Sequence, residues 1–207
     1  MVGLLPLLAL LGQQMNPLDN LPAPAVQLPG RNNVAWVGSP HFNVRPPVTK
    51  IDTIVLHHTA SSNIEGVIKW FNMPESQVSA HYTVGKDGSI VQHVSTYNRA
   101  WHAGRSVDKR GIENVNNYSV GIEIVNKGDG SEPYPPEQVE AVFRLCRTLM
   151  RYRHKEVVQI VSHEFIAVPP GRKNDPINYP WESLDPLIEE FKVTLSIGQN
   201  PAMKSGQ

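Results

Sequence analysis

Between Asp52 and His57 the chain runs through a β-branched apolar stretch that stops on two adjacent histidines, TIVLHH, and the pattern predicts a buried strand there. From Asn63 to Phe71 the apolar positions Ile64, Val67, Ile68 and Phe71 fall on one face of a short helix. The segment HYTVGKDGSIVQHV reads as a hairpin, because Lys86-Asp87-Gly88 supplies turn chemistry between two alternating runs. Ser119 to Val125, SVGIEIV, is a further strand. A helix follows from Pro136 to about Arg153, with prolines at its first turn, and Val157 to Ser162, VVQIVS, is the last clear strand. Strands and helices alternate, which predicts an α/β fold: a single domain with a central mixed β-sheet flanked by helices.

The flanks lack this periodicity. Residues 1–30 read as an apolar leader and Pro-rich linker, 31–192 as the domain, and 193–207 as a frayed tail. The stretch Asn16 to Pro47 is rich in Pro, Asn and Gly and reads as extended, with Trp36 and Phe42 as the side chains able to dock on the core, whose periodic part runs from Ile51 to Phe191. The opening run MVGLLPLLALLGQQ is too short to span a bilayer, so no integral membrane span is expected. It resembles the apolar core of a secretory signal, with Ala23-Pro24-Ala25 as a small-x-small cleavage site, although no Lys or Arg precedes it. An extracytoplasmic (periplasmic or secreted) protein is expected, without a cysteine near the leader to carry a lipid anchor.

At 207 residues the chain suits one sizeable domain with tails, and it is expected to be monomeric. Lys plus Arg balance Asp plus Glu at 19 each, which argues against a nucleic-acid partner. The single cysteine, Cys146, excludes an intrachain disulfide framework and a thiolate zinc cluster. It lies among Val139, Val142, Phe143, Leu149 and Met150 at helical spacing, the setting of a core thiol.

Several predicted strands end on ionisable residues. The first ends on His57 and His58, Glu123 interrupts GIEIV, and the last runs into His163, after which a Pro/Gly loop reaches Lys173 and Asp175. Strand ends and adjoining loops are where α/β sheets place reactive groups. Two histidines and one aspartate suffice to hold a zinc ion with one position left for water. The spacing alone does not single out which histidine of the His57–His58 pair takes part.

Five ordered motifs, IVLHHTA, SAHYTVGKDGSIVQHV, RAWHAGRS, NNYSVGIEIVN and VSHEFIAVPPGRKNDP, cover most of Ile51 to Trp181. Together they resemble the type 2 N-acetylmuramoyl-L-alanine amidases, a family that takes in bacterial enzymes, phage lysozymes and animal peptidoglycan recognition proteins. The resemblance implies one zinc ion held by His57, His163 and Asp175, and strand alternation agrees in aiming His57 and His58 at opposite faces. It implies Glu123 as the catalytic acid–base and Lys173 as its cationic partner. Phage members carry a catalytic tyrosine where this chain has Ala80, so Glu123 would serve alone. Further, it implies a peptidoglycan or muropeptide substrate, with His81, Tyr82, Trp101 and His102 as groove wall and Asn126 and Arg172 facing the stem peptide. The implied reaction is hydrolysis of the amide between the lactyl group of N-acetylmuramic acid and L-alanine. The competing expectation is a non-catalytic peptidoglycan-binding module, a class that characteristically lacks a metal ligand.

Overall fold

The computed structural model describes residues 34–199. In chain order the first half holds β1 (Ala35–Trp36), β2 (Phe42–Val44), β3 (Thr53–His58), α1 (Ile64–Asn72), β4 (Tyr82–Val84), β5 (Ile90–Gln92) and β6 (Asn98–Ala100). The second half holds β7 (Ser119–Ile124), α2 (Pro136–Thr148), β8 (Gln159–Ser162), α3 (His163–Ile166), α4 (Asp185–Phe191) and β9 (Thr194–Ser196). Seven strands form one mixed sheet in the order β1-β5-β4-β7-β3-β8-β9, while β2 and β6 pair separately as an antiparallel ribbon. Within the large sheet only the β4–β5 hairpin is antiparallel.

β3 lies between two parallel neighbours and is covered on both faces, which is why its sequence reads as a continuous apolar run. Ile54 and Leu56 point to one side with Val120, Ile122, Ile124, Tyr82, Val84 and Ile160. There they meet Val142, Leu145, Cys146 and Leu149 of α2 and its continuation in the main core. Val55 and Val161 point to the other side, against Ala103, Val115, Tyr118, Phe165 and Ile166. α2 starts on Pro136 as predicted, and beyond Thr148 the helix widens into a π-helical turn, Leu149–Arg153.

The described parts of the stretch expected to be extended, Asn16 to Pro47, and of the expected tail both pack onto the sheet. The tail predicted for 193–207 begins with buried Val193 and the strand β9, which pairs in parallel with β8 and covers what would otherwise be an open edge. On the N-terminal side, β1 pairs with β5 through Ala35↔Val91 and Trp36↔Gln92. The side chains expected to dock do not carry that contact: Trp36 is exposed at 41% and Phe42 is only half-buried. Docking runs instead through backbone pairing and through Arg45. Its buried guanidinium donates to the carbonyls of Thr96, Asn116, Asn117 and Ser119. Polar anchoring of this kind leaves no apolar periodicity to read. The apolar leader and Ala23-Pro24-Ala25 lie outside the described residues. Among the described residues no helix is long and apolar enough to cross a membrane.

Candidate active site

The parallel register of β3 and β7 sets His57 directly beside Glu123 at the carboxyl ends of the central strands. β8 ends at Ser162, whose Oγ accepts from the Phe165 amide at 3.0 Å and caps α3, so His163 occupies the first helical position. The Asp175 carbonyl accepts from the Glu164 amide at 3.0 Å, tying the long loop back onto the same helix start. The three side chains converge and are buried: His57 Nδ1 lies 3.0 Å from His163 Nδ1 and 3.2 Å from Asp175 Oδ2, and His163 Nδ1 lies 3.0 Å from Asp175 Oδ2.

The outer hydrogen bonds decide which ring nitrogens carry protons. His163 Nε2 donates to the Ala103 carbonyl at 3.1 Å, so its neutral ring turns a bare Nδ1 inward. For His57 a chain does the same. Ser119 Oγ spends its proton on the Val115 carbonyl at 2.7 Å and therefore accepts from His102 Nε2 at 3.2 Å. His102 Nδ1 is left to accept from His57 Nε2 at 3.0 Å, and His57 Nδ1 faces the centre unprotonated. Three acceptors thus meet at 3.0–3.2 Å, a contact that repels itself unless a cation stands among them. A proton is a poor cation here, since burial, then the charge of His163, lowers the His57 ring to about 4. Ligand bonds of about 2.0–2.1 Å at tetrahedral angles separate donor atoms by roughly 3.3 Å, so the donor set fits a zinc ion.

Glu123 is half-buried at the edge of this cluster, and its Oε2 has no hydrogen-bond partner. Burial first, then the charge of Asp175, pushes its carboxyl well above the ordinary glutamate range, with Lys173 opposing. Lys173 itself is exposed on the lip. Above the cluster opens a cavity of about 740 Å³, lined among others by Glu123, Trp70, Trp101, Arg172 and Lys173.

Of the residues expected at the site, His57, His163, Asp175, Glu123, Lys173, Trp101, His102 and Arg172 all border this cavity. His81, Tyr82 and Asn126 do not. His81 is buried in the sheet, where Nδ1 accepts from the Gly121 amide at 2.9 Å and Nε2 donates to the Asn98 carbonyl at 3.0 Å. Tyr82, one residue on, points to the opposite face and into the main core. Asn126 pins its own loop, its side chain donating to the Glu132 carbonyl and accepting from the Gly128 amide. His102 borders the cavity but spends both ring nitrogens on His57 and Ser119. Arg172 spends much of its guanidinium on the carbonyls of Ala103, Arg105 and Val168. His58 accepts the Ile177 amide at Nδ1, 3.2 Å away, and packs over Gly128, where a Cβ would come within 2.4 Å of its Nε2.

Sequence reading missed Asn116, whose Oδ1 accepts from the amides of His102 and Ala103. It also missed Gly121. A Cβ there would lie 2.4 Å from His102 Cγ, so only glycine leaves room for the ring that orients His57. A glycine in mid-strand was the available signal.

The mixed sheet and the acceptor cluster at its carboxyl edge define an α/β protein built around a candidate cation site. The chain belongs to the N-acetylmuramoyl-L-alanine amidase family, whose model matches residues 47–178. It is 30% identical over 165 residues to the 1,6-anhydro-N-acetylmuramyl-L-alanine amidase AmpD of Haemophilus influenzae, across 70% of this chain and 87% of that one. It is 32% identical over 151 residues to the N-acetylmuramoyl-L-alanine amidase AmiD of Escherichia coli, across 65% of this chain but only 52% of AmiD. The crystal structure of a selenomethionine AmpD derivative matches with a TM-score of 0.66 at 27% identity, covering 78% of this chain and 94% of that one. AmiD from E. coli, solved with anhydro-N-acetylmuramic acid-L-Ala-D-gamma-Glu-L-Lys, matches with a TM-score of 0.56 at 28% identity, covering 72% and 61%.

Proposed function

We propose that this protein is a zinc-dependent peptidoglycan amidase that hydrolyses the amide between the lactyl group of N-acetylmuramic acid and the L-alanine of the stem peptide. The observation that carries the reading is the convergence of two bare Nδ1 atoms and a carboxylate beside the unpartnered Oε2 of Glu123, on the floor of an open cavity. His57, His163 and Asp175 would hold the ion. When bound, zinc lowers the pKa of water toward neutrality and polarises a carbonyl.

The chain's own groups supply the proton chemistry. Glu123 Oε2 accepts a proton from the attacking water as its oxygen bonds to the carbonyl carbon. It then delivers that proton to the alanine nitrogen as the C–N bond breaks. A carboxyl raised by burial suits this shuttle, because it takes up a proton more readily than an exposed glutamate and still releases it. Lys173 brings a positive charge from the lip toward the oxygen where negative charge develops. The substrate class is supported by the relatives, AmpD being named for the 1,6-anhydro form and AmiD having been solved with an anhydro-muropeptide. A purely binding role would leave a full donor set and an unpartnered acid without a task. The apolar N-terminal run supports action outside the cytoplasm.

The test is mass spectrometry of purified peptidoglycan after digestion. The expected products are stem peptides with a free L-alanine amino terminus and glycan freed of peptide, lost on chelation and restored by zinc. Full activity of a metal-free preparation, or release of any other bond's products, refutes the reading.

A further inference from the structure

Residues 34–45 precede the stretch matched by the family model, yet residues 41–43 brace Trp101, one of the side chains that line the cavity. Trp101 lies on the cavity wall directly after β6, and β2 pairs with β6 through Phe42↔Ala100, Asn43↔Arg99 and Val44↔Asn98. Asn43 Oδ1 accepts from Trp101 Nε1 at 2.6 Å and from Arg99 Nη1 at 2.9 Å, while Arg99 Nε donates to Asn117 Oδ1 at 2.7 Å. The His41 ring lies against the indole, with centroids 5.6 Å apart and planes tilted by 37°, and its Nε2 donates to the Met73 carbonyl at 2.9 Å. Ser79 Oγ closes the arrangement, donating to the His41 carbonyl at 2.6 Å and accepting from the Trp101 amide at 3.0 Å. Backbone, ring face and ring N–H of Trp101 are therefore each held by, or through, residues 41–43.

An indole whose N–H is spent on Asn43 offers the cavity its apolar ring, and a ring held in place loses little freedom when a ligand packs on it. Trp101 has no bond-making role of its own: both the proton-transfer and the donor groups are supplied by other residues of the site. We propose that Asn43 is a positioning residue that, with His41, presets Trp101 for a non-reacting part of the substrate, so that the strap formed by residues 41–43 sets affinity and not turnover. This rests on the amidase reading above.

Asn43→Ala and Asn43→Asp test it, with kcat and KM measured on one purified muropeptide. The indole N–H resonance of Trp101, assigned by its absence in Trp101→Phe, is recorded alongside. Asn43 is exposed, so zinc content and melting temperature should stay near wild type. Asn43→Ala is expected to raise KM by roughly three- to tenfold with kcat within about twofold, and to shift the indole resonance. Asn43→Asp keeps an acceptor for both donors and should restore KM and resonance together. An active wild type with unchanged KM in Asn43→Ala overturns the proposal, as does a loss confined to kcat, or an Asn43→Asp variant as impaired as the alanine. A wild type that releases no alanine-terminated peptide overturns the amidase reading itself, which separates the two failures.

Discussion

Replacing Gly121 with alanine tests how far the proposed zinc site depends on the His102 ring, whose two nitrogens are both spent on protein partners. The added Cβ would stand 2.4 Å from His102 Cγ and 2.6 Å from both Cδ2 and Nδ1, where ordinary contacts between such atoms are about 3.5–4.0 Å. The ring would have to retreat by about an ångström. It has little room, since the rings of His57 and His81 lie 5.1 and 5.7 Å from it, centroid to centroid. A retreat of that size opens the 3.0 Å bond to His57 Nε2 beyond hydrogen-bonding range and frees the His57 ring to turn. Overpacking of this kind costs about 1–3 kcal/mol of stability, and loss of an outer partner of a metal-ligating histidine costs about 10- to 100-fold in metal affinity. Zinc affinity by chelator competition and the melting temperature of the metal-free protein read the two effects separately. His102→Ala should weaken zinc to a similar degree. In that background Gly121→Ala should cost almost nothing further, because the clash has lost its partner. Wild-type zinc affinity in Gly121→Ala, or full additivity in the double variant, would refute the reasoning.

His57→Ala should lose zinc, whereas His58→Ala should keep it and lose only about 1 kcal/mol of stability with the Ile177 hydrogen bond, as zinc content and melting curves would reveal. Glu123→Gln should keep fold and zinc while turnover falls on the order of a hundredfold or more; an active variant would remove Glu123 from the chemistry. Because burial and Asp175 raise the Glu123 carboxyl, and in the proposed mechanism its base form accepts the proton, the wild-type rate should climb with pH above the ordinary glutamate range, a limb traceable in a kcat/KM profile. Buried Asp108 accepts from Arg110 Nε at 2.6 Å and from the Arg110 and Ile112 amides. Burial opposes its charge, but these bonds win and depress the carboxyl. Its stabilisation is therefore present above the unfolded aspartate value of about 3.9 and is lost as pH falls through the lower folded value. Asp108→Asn should flatten that acid limb of the melting temperature.

The parts of this protein that sequence determined are those written in local periodicity or in an ordered motif. The apolar run of β3, the one-sided helix α1, the Lys86-Asp87-Gly88 turn and the proline-started α2 each carry a local signal: unbroken apolar burial, helical spacing, turn chemistry and a first-turn proline. The motifs singled out His57, Glu123, His163 and Asp175, which lie on four separate elements or loops and border one cavity. What tertiary structure alone decided is whatever depends on partners distant in the chain. β1, β2, β6 and β9 are two or three residues long, too short for any period to show, and exist because a neighbouring strand offers unpaired backbone. Arg45 is held by carbonyls more than fifty positions away. The division of labour among the histidines was equally hidden. His57, His81 and His102 are chemically identical side chains, and only the direction of the hydrogen bonds around them turns one toward the candidate cation site, locks one into the sheet and makes one the support of another.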